Sequence, residues 1–270
     1  MSYVAKSGII LAGGQSLRYS GQGGTPKALA TVANLPIVLH VAASLIMGGA
    51  GRIIVLTGAN HAALCVGLGL QSEGHCAQGH LRVQTHDGLI QSVPFELRFS
   101  GNEAGTAGRL LALSAAEIGE ASLLSYTDVL SDARLGRLVS VCESGIDLAM
   151  LAVRPTLPWG VLELGVDDSI TGFTEKPRER SRWVNGGVMA ISAAVQKHIY
   201  SAEDMLEETV IPRLISSGKL RAVRHEGIWY PMDSPKDFLG INRDVDAGVF
   251  TWRRWLSLRL SRVDGAITHV

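Results

Sequence analysis

A chain of 270 residues, 46% hydrophobic and 19% charged, is long enough for one large α/β domain burying about three quarters of its unfolded surface, and its composition excludes a disordered or highly charged chain. Its 25 basic and 25 acidic residues cancel, so no global field holds nucleic acid or an anionic membrane, and any anion must be bound locally. Cys65, Cys76 and Cys142 have neither CxxC spacing nor a paired framework, as expected of reduced thiols.

Gly8-Ile9-Ile10-Leu11-Ala12 is a continuous apolar run ending in Gly13-Gly14, the pattern of a buried parallel strand opening into a glycine loop. Residues 35–48 carry helical apolar spacing, 52–57 read as a strand and 61–70 as a second helix. Residues 81–86, 107–118 and 121–126 continue as strand, helix and strand, the last stopping at Thr127-Asp128. This alternation predicts an α/β fold with a doubly wound, mostly parallel, Rossmann-like sheet. Ligands of such sheets bind beyond the carboxyl ends of the strands, so Gly13 and Asp128 are expected at one crevice.

After residues 146–153 the pattern changes to short strand-like runs at 160–164, 169–175 and 184–191, which predict an antiparallel substrate-binding portion. Residues 205–215 read as a helix, 221–225 as a strand and 235–246 as a helix. The expected division is a domain over 1–248 and a C-terminal helical tail over 249–270, in which Trp252, Trp255, Leu256 and Leu260 recur at helical spacings. That tail is expected to cover a hydrophobic face or a neighbouring subunit of a homo-oligomer.

The stretch Leu11-Ala12-Gly13-Gly14-Gln15-Ser16-Leu17-Arg18, followed by Thr25-Pro26-Lys27, carries the most chemistry. Gly13 and Gly14 let backbone amides approach a triphosphate, and Arg18 and Lys27 add positive charge where a pyrophosphate leaves. The spacing fits neither GxxxxGK[ST] nor GxGxxG. It resembles the loop of the sugar-phosphate nucleotidyltransferases, whose first strand, Gly-Gly turn and downstream Pro-Lys bind the triphosphate. Gln15-Ser16-Leu17-Arg18 stands where sugar-specific members have Gly-Thr-Arg, and is also similar to the molybdopterin guanylyltransferase and methylerythritol cytidylyltransferase branches.

Further segments resemble glucose-1-phosphate cytidylyltransferases most. Residues 100–110 share Gly101, Thr106, Gly108, Arg109 and Leu110 with that family's Thr-Gly-x4-Thr-Gly-Gly-Arg-Leu. Trp159-Gly160-Val161-Leu162-Glu163, Thr174-Glu175-Lys176-Pro177, Asn185-Gly186-Gly187 and Trp229-Tyr230-Pro231-Met232-Asp233-Ser234 follow in the family's order. The resemblance implies a GT-A-like nucleotidyltransferase fold and an enzyme that joins a nucleoside triphosphate, CTP foremost, to a sugar 1-phosphate with release of pyrophosphate.

It also implies roles. Asp128 and Asp233 are the expected Mg²⁺ ligands, few being needed because phosphates and water complete the octahedron. The sugar phosphate is already an ionised nucleophile, so no general base is required, and Arg18, Lys27 and Lys176 supply the charge. Nucleotide contacts fall to residues 11–16, Arg18, Lys27, Thr127 and Asp128, and base recognition to Glu103, Thr106, Gly108 and Arg109, with Glu103 or a nearby carbonyl accepting from the cytosine N4. Trp159, Gly160, Glu175, Lys176, Asn185 and Gly186 are expected to meet the sugar phosphate. Thr127 departs from the glycine usual before the metal aspartate.

Other classes fit less well. His75, Cys76, His80 and His86 lack a second CxxC for a structural zinc site, and Arg253-Arg254 beside an apolar stripe reads as a solvated edge rather than a nucleic-acid site. With neither the order of a secretion leader at residues 1–12 nor a run of about 18 apolar residues, the expected setting is the cytoplasm, away from the membrane. The alternatives are a nucleotidyltransferase for another nucleotide or a cyclitol, heptose or polyol phosphate, and a non-catalytic homologue that binds sugar nucleotides to regulate a partner.

Overall fold

In the computed structural model, which describes residues 4–14, 25–247 and 255–262, the first apolar run is β1 (Gly8–Ala12), buried throughout. A 3-10 turn at Lys27–Leu29 and a hairpin of β2 (Thr31–Val32) and β3 (Leu35–Pro36) lead into α1 (Ile37–Met47). Next come β4 (Ile53–Thr57), α2 (His61–Gly67), β5 (Ser72–Glu73), β6 (Cys76–Thr85) and β7 (Ile90–Phe99). A 3-10 turn at Gly108–Ala112 precedes α3 (Ala115–Ile118), β8 (Ser122–Tyr126), β9 (Val129–Ser131) and α4 (Gly136–Glu143). The second half holds β10 (Leu148–Val153), β11 (Val161–Leu164), β12 (Ile170–Thr174), β13 (Val184–Ile191) and a π turn at Leu206–Val210 running into α5 (Ile211–Ser216). It closes with β14 (Leu220–His225), β15 (Trp229–Pro231), α6 (Pro235–Asp246) and β16 (Trp255–Arg262).

The main sheet has the order β14-β10-β13-β8-β1-β4-β7-β6-β16, with β5 beside β6. Its centre, β8-β1-β4-β7, is parallel, while β13, β6 and β16 each run antiparallel to the strands they join. β1 sends Ile10 to one face and Ile9 and Leu11 to the other, because successive side chains alternate. On the first face Ile10, Val55 and Leu123 pack with α1 and α4; on the second Ile9, Leu56 and Leu124 pack with Leu110, Ile118, Leu206 and Leu214. α1 is apolar nearly all round because it is buried nearly all round, from Ile37 to Ile46. No helix among the described residues is long and apolar enough to cross a membrane.

The α/β architecture with a parallel centre is as the sequence predicts, and α6 spans the predicted residues. Four elements differ. The expected helix over 107–118 is a 3-10 turn and a four-residue helix, divided where Ser114 leaves the helix to cap the next one, its side chain accepting from the Glu117 amide. The expected helix over 205–215 begins as a π turn. The strand predicted over 81–86 is the antiparallel β6, and the strand that continues the parallel run is β7, which the sequence reading missed. Finally, the expected C-terminal helix is a strand where it is described: β16 pairs antiparallel with β6, placing Leu258 and Leu260 in the core and Arg259 outside. Trp252 and Arg253-Arg254 lie outside the described residues.

One charged network ties β4, β7 and α3 together. Arg98 donates to Glu96 at 2.6 Å and to Glu117 at 2.8 Å, and Arg52 reaches the same Glu117 oxygen at 2.8 Å. The Arg98 hydrogen bond, helped by Ser114, holds the Glu117 carboxyl down at about 2 against the cost of burial. Its folded value lies below its unfolded one, so its stabilisation is complete above the ordinary glutamate range and is lost as pH falls towards about 2. Glu117→Gln is therefore expected to lower Tm near neutral pH and to flatten the decline of Tm between about pH 5 and 2, checked by thermal melts across that range. A parallel decline in both proteins would remove Glu117 from the acid limb.

Candidate active site

The site begins where the parallel strands end. β1 gives way to Gly13, whose carbonyl accepts from Arg109 Nη2 at 3.1 Å, and to Gly14, whose carbonyl accepts from the Asn60 side chain at 3.3 Å. Gly13 must be glycine: a Cβ there would lie 1.8 Å from Arg109 Cζ. At Gly14 a Cβ would meet nothing within 4 Å. Gly13→Ala is thus expected to cost about 1–3 kcal/mol through forced repacking. Gly14→Ala should leave Tm unchanged, and comparing the two melts checks the assignment.

Arg109, expected from the sequence to recognise the base, directs its guanidinium at the protein's own backbone. The side chain is buried and also donates from Nη1 to the Thr57 carbonyl at 3.0 Å, to Ser100 Oγ at 3.0 Å and to the Gly101 carbonyl at 2.8 Å. It therefore clamps the ends of β1, β4 and β7 to one another. Burial lowers its pKa, and among the described residues no carboxylate pairs with it, so its charge is spread over backbone dipoles. The rest of that segment also faces protein. Gly108 lies against the chain at Ala202, where a Cβ would come 1.7 Å from the carbonyl oxygen. Thr106 accepts from the Leu206 amide and donates to Glu207. Of the predicted base contacts, only Glu103 stands exposed on the loop after β7.

Lys27 is the centre of the crevice. Pro26 presets the backbone for the 3-10 turn that presents it, and the Leu29 amide closes that turn on the Pro26 carbonyl at 2.8 Å. Lys27 Nζ donates to Asp128 Oδ2 at 2.8 Å and to Asp233 Oδ1 at 3.1 Å. The two aspartates meet because β9 and β15 pair antiparallel, Val129 opposite Pro231, and the Met232 amide extends the ladder to the Asp128 carbonyl at 2.8 Å. Asp233 stands just before α6, whose Ser234–Asp237 capping box fixes the turn; its own amide donates to Asp237 at 3.1 Å. The structure thus gathers Lys27, Asp128 and Asp233 beside Gly13, Gly14 and the buried Thr127 at the strand ends.

Two hard carboxylates converging on one cation position fit a small divalent ion that takes further oxygens from phosphate and water. Among the described residues no group of three or more His, Cys, Asp and Glu side chains could form a fuller metal cage. The other predicted sugar-phosphate residues lie on a separate antiparallel flap of β11 and β12 and on β13. Lys176, at φ +46°, pairs with Glu175 at 3.4 Å, and a Cβ on Gly160 would press on Phe173. Trp159 is exposed on that flap. The Asn185 side chain accepts from the Gly187 amide at 2.9 Å, and the Gly186 carbonyl accepts from the Trp229 indole at 3.0 Å.

The sequence reading missed Tyr126 and Glu207. Tyr126 ends β8, donates to Glu207 and neighbours Asn185; burial and the Glu207 carboxylate raise the phenol's pKa, so it stays a neutral donor. An aromatic residue directly before Thr127-Asp128 was the signal available. Gln15, Ser16 and Arg18 lie outside the described residues.

Residues 8–82 match the family described as the MobA-like NTP transferase domain. The chain is 24% identical over 260 residues to a glucose-1-phosphate cytidylyltransferase of Salmonella typhimurium, covering 92% of this chain and 98% of that one. It is 27% identical over 223 residues to the mannose-1-phosphate guanylyltransferase catalytic subunit beta of Drosophila melanogaster, covering 80% of this chain and 56% of that one. Among solved structures, HddC from Yersinia pseudotuberculosis shares the fold at 16% identity with a TM-score of 0.62, over 88% of this chain and 99% of that one. A putative glucose-1-phosphate thymidylyltransferase from Bacillus anthracis shares it at 21% identity and 0.61, over 88% and 94%. Over most of its length the chain is thus similar to sugar-phosphate nucleotidyltransferases, and its glycine loop, lysine and two aspartates stand together at the strand ends.

Proposed function

We propose that this chain forms an NDP-sugar, CDP-glucose or a closely similar CDP-sugar, from CTP and a sugar 1-phosphate, releasing pyrophosphate. The observation that carries the reading is Lys27 held between Asp128 and Asp233 at the mouth of the parallel sheet. A triphosphate laid over Gly13 and Gly14 brings its phosphates to Lys27, and the amides of the glycine turn can approach it because no Cβ intervenes at Gly14. Asp128 and Asp233 are the residues that would hold Mg²⁺, which when bound supplies charge neutralisation and alignment. An ionised oxygen of the sugar phosphate attacks the α-phosphorus in line, the bond to the β-phosphate bridge breaks, and pyrophosphate leaves with the electron pair. No proton need be removed from the nucleophile, so positioning dominates.

Lys176 on the β11–β12 flap is the cation for the sugar phosphate, with Glu175 and Asn185 for sugar hydroxyls. The likeness to mannose-1-phosphate guanylyltransferases supports a second reading, with GTP in place of CTP.

Pyrophosphate release, measured with Mg²⁺ and each of the common nucleoside triphosphates against a set of sugar 1-phosphates, is expected to be fastest with CTP and glucose 1-phosphate. A different preferred pair would move the specificity and keep the reaction. Nucleotide binding without release from any pair would favour the regulatory homologue. Glu103→Gln should narrow the preference for CTP over UTP if the exposed side chain reads the base.

A further inference from the structure

Outside the crevice, a second cleft of about 330 Å³ opens between the end of β9, the start of α4 and the ends of β10 and β14. Its polar lining is Asp132, Arg134, Arg137, Arg224 and His225, over an apolar floor that includes Leu151. It shares no residue with the Lys27–Asp128–Asp233 cluster.

The charge around it is unbalanced. Arg134, Arg137 and Arg224 form no ion pair among the described residues, and the contact found for the Arg224 guanidinium is the Trp183 ring, 5.4 Å away. The nearby acids are already engaged: Asp132 accepts from the Ile228 amide at 2.8 Å and lies 3.0 Å from His225, while Glu226 faces Arg154 at 3.8 Å. Three guanidiniums without an ion pair among the described residues surround one concavity, in a chain whose charges balance overall, and form a fork-rich site complementary to tetrahedral oxyanions. Counting Asp132 against the arginines leaves a surplus that a phosphate dianion neutralises. The volume is at the small end of ligand clefts, about 300–1,000 Å³, and is enough for a phosphate ester of a few carbons.

We infer that this cleft is a second anion site, which binds the phosphoryl group of a small phosphate or phosphate monoester through Arg134, Arg137 and Arg224. This is independent of the nucleotide and sugar assigned above. Asp132 also links the cleft to the catalytic aspartates: its amide donates to the Ile228 carbonyl at 3.3 Å, directly beside the β9–β15 ladder that joins Asp128 to Asp233.

The test uses the full chain with the two described crevice lysines removed, Lys27→Met/Lys176→Met, and reads orthophosphate and glycerol phosphate binding by calorimetry. This background is expected to retain one phosphate site, and adding Arg134→Gln/Arg137→Gln to weaken it about tenfold or more. Both arginines are exposed and unpaired, so their replacement costs no described ion pair. Tighter binding of the ester marks a metabolite site and equal binding a phosphate site; either supports the proposal. Loss of all phosphate binding in the lysine background, with the fold intact, overturns it, as does unchanged affinity after the arginine replacements. Should the lysine background not fold, Arg224→Gln in the otherwise unaltered chain is expected to lower the number of phosphates bound by one, and an unchanged number overturns the proposal.

Discussion

Asp233→Ala is expected to lower kcat/KM by roughly 10³, about 4 kcal/mol of transition-state stabilisation, while leaving the fold intact. The reason for the large first effect is that Asp233 supplies one of the two carboxylates gathered on Lys27. The small second effect follows from its exposure: 70% of the side chain is accessible, and an ion pair so placed contributes about 0–1 kcal/mol to stability. The replacement leaves Asp128 paired with Lys27 at 2.8 Å, so no buried charge is stranded. Rates across a Mg²⁺ titration, with melts alongside, separate the two effects. Raising Mg²⁺ should restore part of the lost rate, since one carboxylate and the phosphates still offer oxygens. Activity within a few-fold of the parent at all Mg²⁺ concentrations would remove Asp233 from metal binding and leave it as the residue preceding the α6 cap.

Arg109→Ala should have the opposite signature, a loss of stability first. It would take the guanidinium donors from the Gly13 and Gly101 carbonyls and Ser100 Oγ, leave the Thr57 carbonyl only its Ser100 donors, and open a void where those strand ends meet, at an expected cost of about 3–5 kcal/mol. For a domain of this size that corresponds to a Tm lower by roughly 5–10 °C. Arg109→Lys should rescue little, because an ammonium on a flexible stem cannot span acceptors that a planar fork bridges. If Arg109→Ala melts like the parent yet loses nucleotide affinity, the guanidinium serves the ligand and not the scaffold. The two variants therefore distinguish residues that perform the chemistry from those that hold the loops where it occurs.

Much of the fold was legible because buried parallel strands are apolar on both faces: Gly8–Ala12 and Ile53–Thr57 offer no other reading. β7 escaped notice because Gln91, Ser92 and Glu96 interrupt it and Pro94 argues against a strand. Pro94 sits opposite His80 in the β6–β7 ladder, a tertiary pairing that local pattern does not announce. At the C-terminus, Trp252, Trp255 and Leu256 suit a helical spacing, but Leu256, Leu258 and Leu260 also recur every second residue, and pairing with β6 selects that period. The site was legible in its residue types. That Lys27 stands between Asp128 and Asp233 depends on a three-residue ladder between segments about a hundred residues apart, and that Arg109 serves backbone carbonyls depends on three strand ends arriving together. Neither distance nor burial is encoded in spacing.

The pairing of β16 with β6 has a consequence for solubility. With β16 opposite residues 79–85 and β5 opposite 76–77, the outer backbone groups of a ten-residue, strongly alternating strand are hidden from other chains. The strand left outermost carries Arg259 and Arg262, charges that discourage edge-to-edge growth. A chain cut short of β16 would keep Lys27, Asp128 and Asp233 but would present the bare rim of β6 as a template, inviting association into aggregates before any loss of chemistry.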